Sequence, residues 1–75
     1  LTIEPGDLEG GPNNSHSGDQ WLYVLSGRGK AVVEGRTIDL KPGSLLVIES
    51  GEKHQVECHG KEPLETLNFF APPQF

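Results

Sequence analysis

Cysteine is nearly absent: Cys58 stands alone, so no disulfide can form within the chain, and there is no methionine at all. Basic residues are also few, six Lys and Arg against eleven Asp and Glu, for a net charge of −5. Those six are spread singly along the sequence and offer no run that tracks phosphates, which excludes nucleic acid and anionic membrane surfaces as partners. Long apolar runs are missing too. The longest aliphatic stretch, Leu45 to Ile48, falls far short of the roughly 20 residues that span a bilayer. The opening residues Leu1 to Gly6 have neither a basic nor an apolar leader segment. With a lone thiol, a reducing, cytoplasmic setting is expected.

Helix-length segments are the next absence. No stretch free of both Gly and Pro exceeds eight residues, a length reached at 19–26, 52–59 and 64–71. An average helix of about 11–12 residues does not fit. The segments carry strand composition instead: Trp21 to Leu25, Ala31 to Val33, Leu45 to Ile48, Val56 with its polar neighbours, and Thr66 to Phe70. Glu34-Gly35 reads as a two-residue hairpin turn, and Lys41-Pro42-Gly43 and Ser50-Gly51-Glu52 reverse the chain again. Gly10 to Asn14 reads as a loop, and Ala71 to Phe75 as a surface tail. The expectation is a single domain over residues 1–75, an all-β, small antiparallel barrel with no substantial helix. A chain of 75 residues buries only about 60% of its unfolded surface, so a metal or a second subunit is needed to steady it.

Strand alternation sorts the side chains by face. Gln20, Leu22 and Val24 point one way, and Trp21, Tyr23 and Leu25 the other. His54, Val56 and Cys58 share one face, with Gln55, Glu57 and His59 opposite. If the Gln20 and His54 faces both line the barrel interior, Leu22, Val24 and Val56 form an apolar floor. The mouth above it then holds Asn14, His16, Gln20 and His54, the form of a metal or small-molecule pocket.

These residues resemble a known family, the cupins. The first family motif, G-x5-H-x-H-x3/4-E-x6-G, corresponds to Asn14-x-His16-x3-Gln20-x6-Gly27, with Leu8 where the leading Gly is expected. The second, G-x5-P-x-G-x2-H-x3-N, corresponds to Gly43-x5-Glu49-x-Gly51-x2-His54-x3-Cys58. The resemblance covers roughly residues 2 to 70 and implies a jelly-roll-like barrel, commonly dimeric, with metal ligands from both motifs. Carried over by position, the ligand set is Asn14, His16, Gln20 and His54. Two amides replace an imidazole and a carboxylate of the family pattern. Such a set suits a divalent transition metal, Zn, Ni, Cu, Co, Mn or Fe.

Other readings stand beside these. His16, in a polar loop, also reads as a solvated histidine, and Gln20 as a group that orients an imidazole or a water. Cys58 reads as a small buried hydrophobe, with a reactive or ligating thiol as the alternative, and His59 as solvated. The Trp21-Tyr23-Leu25 stripe packs under the other sheet or the N-terminal segment, or else forms a homodimer interface. Glu4, Asp7, Glu9, Glu49, Glu52, Glu57, Glu62 and Glu65 read as turn and outer-face charges, none on the pocket face. Three functions follow: a module binding metal and a small organic ligand, a metal-dependent enzyme of oxygenase, isomerase or lyase type, or a metal-free module for a sugar or acid.

Overall fold

A computed structural model describes residues 1–10 and 18–71. Eight strands follow one another: β1 (Thr2–Ile3), β2 (Leu8–Gly10), β3 (Asp19–Ser26), β4 (Arg28–Val33), β5 (Arg36–Leu40), β6 (Leu45–Ile48), β7 (His54–His59) and β8 (Leu64–Ala71). They form two four-stranded sheets, ordered β1-β8-β3-β6 and β2-β7-β4-β5, and every pairing is antiparallel. The expected all-β architecture is what the chain adopts, and the described residues contain no helix that could cross a membrane. Where a surface tail was expected to begin, Ala71 is instead the last residue of β8, opposite Asp19.

The core lies between the sheets. Ile3, Leu22, Val24, Leu46, Ile48 and Leu64 project from one, and Ala31, Val33, Leu40, Val56 and Cys58 from the other, as one buried cluster. Cys58 is buried, as expected of a small hydrophobe, and its thiol donates to the Glu62 carbonyl oxygen at 3.2 Å.

Two glycines set the chain's path between and within the sheets. Gly27 carries the chain from β3 in one sheet to β4 in the other with φ +85°, and a Cβ there would collide with the Pro63 carbonyl oxygen. At the β4–β5 hairpin, Glu34 and Gly35 both have positive φ, 49° and 79°. That is the backbone of a type I′ turn, whose twist matches the flanking strands.

Strand β3 alternates between buried and exposed as its sequence implies. Its outward residues Trp21 and Tyr23 pair with Val47 and Leu45 of β6 on one side and with Phe69 and Leu67 of β8 on the other. All six are exposed, Phe69 at 57%. The expectation that the opposite sheet or the N-terminal segment covers this stripe is therefore corrected: the sheets meet through their other faces, and β1 pairs along the edge of β8.

Candidate functional site

Gln20 is the second residue of β3 and His54 the first of β7, one in each sheet. Both side chains face the interior and both are buried, at 7% and 6% exposure. A network at one end of the sandwich fixes their separation. The Asp19 carboxylate accepts from the Ser50 backbone N–H at 2.9 Å, and the Ser50 hydroxyl accepts from the Gly18 N–H at 3.0 Å. These contacts tie the start of β3 to the turn that leads into β7. The same turn closes on itself, with Glu52 N–H donating to the Glu49 carbonyl and the Glu49 N–H donating to the Glu52 carboxylate at 2.7 Å. From the other side, the β4–β5 turn holds Lys53 through two bonds, Glu34 N–H to Lys53 oxygen and Lys53 N–H to the Glu34 carboxylate.

His54 is oriented by its own turn. Its Nδ1 lies 3.2 Å from the Glu52 carbonyl oxygen. A carbonyl can only accept, so in the neutral ring this contact puts the proton on Nδ1 and the lone pair on Nε2. That is how a metal-binding imidazole is usually held by its second nitrogen.

Gln20 and His54 line one cleft of about 300 Å³, together with Leu22 and Val56, Leu1, Phe70, Glu9 and Asn68. Leu22 and Val56 supply the apolar floor expected from the alternation. Val24 lies deeper in the core. Of the four proposed ligands, the structure thus brings Gln20 and His54 together, whereas Asn14 and His16 lie outside the described residues.

Two polar residues of the cleft were not anticipated. Glu9 was expected on the outer face, but its register opposite Val56 places it on the interior side of β2, and it lines the cleft. Asn68 sits opposite Leu22 on the interior side of β8. Its Nδ2 donates to the Thr66 hydroxyl at 3.2 Å, while its Oδ1 is buried with no hydrogen-bond partner. A buried acceptor left unpaired is the kind of atom that an ion, a water or a ligand satisfies. Among the described residues no three His, Cys, Asp or Glu side chains converge. The donor set here is one imidazole, one carboxylate and two amides, a mixture that fits a borderline divalent metal supplemented by water or further protein donors.

The Cupin domain family matches residues 1–70. The chain belongs to the cupin family. An L-ectoine synthase of Bordetella avium is 31% identical to this cupin over 72 residues, covering 96% of the chain and 54% of the synthase. A mannose-1-phosphate guanylyltransferase of Klebsiella pneumoniae is 30% identical over 67 residues, 89% of the chain but 14% of that protein. Among solved structures, a predicted oxalate decarboxylase of Thermotoga maritima superposes with a TM-score of 0.86 at 29% identity, over 96% of this chain and 62% of that one. This cupin therefore spans about half the length of the ectoine synthases it matches and a small part of the guanylyltransferases.

Proposed function

We propose that this cupin binds a divalent transition metal at the mouth of the sandwich, through His16 and His54 with Asn14 and Gln20, and there receives a small organic ligand. The observation that carries the reading is His54: it is buried beside Gln20 in a cleft, with its ring oriented by the contact of Nδ1 with the Glu52 carbonyl, so that Nε2 is the nitrogen we assign to the metal. When bound, a divalent ion supplies a Lewis acid that polarises a carbonyl or carboxylate oxygen. The chain's own groups do the rest. Leu22 and Val56 exclude water from the floor, and the amides of Gln20 and Asn68 donate or accept hydrogen bonds that orient the ligand. Glu49, Ser50 and Glu52 hold the turn that keeps His54 in place.

A metal-dependent enzyme is the second reading, favoured by the ectoine synthase likeness that extends over 96% of the chain. Metal analysis and calorimetric titration test the shared premise. His54→Ala and His16→Ala are each expected to abolish binding of Zn, Ni and Mn salts while the protein stays folded. Unchanged affinity in either variant overturns the shared site, and a metal-free protein with no measurable affinity turns the reading to a module for a sugar or acid.

A second copy of the chain is the proposed cover for the outer face of β8, β3 and β6. In a protein of net charge −5, self-association is opposed wherever like charges meet. The centre of this face, Trp21, Tyr23, Leu45, Val47, Leu67 and Phe69, carries none. A two-fold contact would set the same uncharged patch against itself.

A further inference from the structure

We infer that Glu9 provides the anionic oxygen of the metal site, in place of the carboxylate that Gln20 lacks. The inference rests on the metal-binding reading and adds to it a ligand from a strand outside both sequence motifs.

Register argues for it. Glu9 pairs with Val56 on β7, so it shares the interior face with Val56 and is the diagonal neighbour of His54, two residues earlier on the same strand. Diagonal cross-strand neighbours have Cβ atoms about 7–8 Å apart or somewhat less, within the joint reach of a glutamate and a histidine converging on one ion. Both side chains line the same cleft. Chemistry argues for it as well. The other described donors of the cleft, Gln20, His54 and Asn68, supply no anionic oxygen, and a site without a negative ligand holds a divalent ion weakly. One carboxylate supplies both charge and a hard oxygen. The buried, unpaired Oδ1 of Asn68 marks the same cleft as short of a positively charged or donating occupant.

The alternative for Glu9 is a solvated edge-strand charge, and its own exposure allows that. A carboxylate exchange between strands separates the two. Zinc, nickel and manganese chlorides are titrated calorimetrically into the wild-type chain, Glu9→Gln, Gln20→Glu and the double variant Glu9→Gln/Gln20→Glu, with circular dichroism confirming that each is folded. Glu9→Gln is expected to weaken binding by about tenfold to a hundredfold. Gln20→Glu in that background is expected to recover most of the loss, because it returns the carboxylate to the cleft from β3. Equal affinity for the wild type and Glu9→Gln overturns the role of Glu9 while leaving the metal site intact. Wild-type protein that binds none of the three ions overturns the metal reading itself, and the role of Glu9 with it.

Discussion

The two sheets turn opposite kinds of surface outward. On the sheet of β2, β7, β4 and β5, Lys30 faces Glu57 across one strand boundary and Asp39 across the other, and Val32 lies between Thr37 and Gln55. His59 Nε2 contacts the Glu57 carboxylate at 2.9 Å on the same face. This is the ordinary outside of an antiparallel sheet, apolar inward and polar outward. On the sheet of β1, β8, β3 and β6, the outward positions hold Trp21, Tyr23, Leu45, Val47, Leu67 and Phe69 side by side, a patch three strands wide. Isolated exposed apolar residues are common, but a contiguous patch of this kind marks a contact surface. One sheet thus meets its surroundings with a polar face, and the other with the apolar face proposed above to take a second copy.

The most damaging change strikes the joint between the sheets. Gly27→Ala combines a Cβ overlapping the Pro63 backbone with φ +85°, and should cost about 3 kcal/mol or more. Gly35→Ala has a similar φ, +79°, but open space around it, and should cost about 1 kcal/mol. Urea unfolding of both variants checks this. Equal losses would show that strain alone, without the clash, governs the joint.

Next in size is the apolar face. Tyr23→Lys should yield a monomer in sedimentation and lower apparent stability by about 2–4 kcal/mol at micromolar protein, since the charge would have to be buried against a second copy. A wild-type monomer, with Tyr23→Lys within about 0.5 kcal/mol of it, would instead mean that the face is open surface.

Much of this contrast is legible in the sequence, and its failures have physical causes. Strand β3 reads correctly because eight residues repeat the alternation, Gln20, Leu22 and Val24 in, Trp21, Tyr23 and Leu25 out. In β8 the alternation runs against the hydrophobic rule: Thr66 and Asn68 face the interior while Leu67 and Phe69 face out. Composition shows that β8 is a strand and hides which side is wet, so Asn68 escapes notice as a cleft residue. Strands β1 and β2 have two and three residues, too few for any period. They exist because β8 and β7 offer them edges. The face of Glu9 is accordingly decided by its pairing with Val56 and by nothing local. The histidine and glutamine at the mouth are recognisable because motif spacing, unlike face assignment, survives without knowledge of the partner strand.

The smallest expected effect separates the two faces most cleanly, because salt acts differently on each. Lys30→Ala removes the cation between Glu57 and Asp39 and should cost about 0.2–1 kcal/mol at low ionic strength. At 1 M sodium chloride the Debye length is about 3 Å, and the difference between Lys30→Ala and wild type should vanish. The apolar face has no charges at its centre to screen, and an excluded salt such as sulfate strengthens apolar burial. The destabilisation by Tyr23→Lys should therefore persist at high salt, and sulfate should widen it. Urea midpoints of both variants in low salt, 1 M sodium chloride and sodium sulfate would read this out. A Lys30→Ala penalty that survives 1 M salt would mean that the lysine stabilises β4 through its aliphatic stem, and that the outer face of this sheet is held by packing as well.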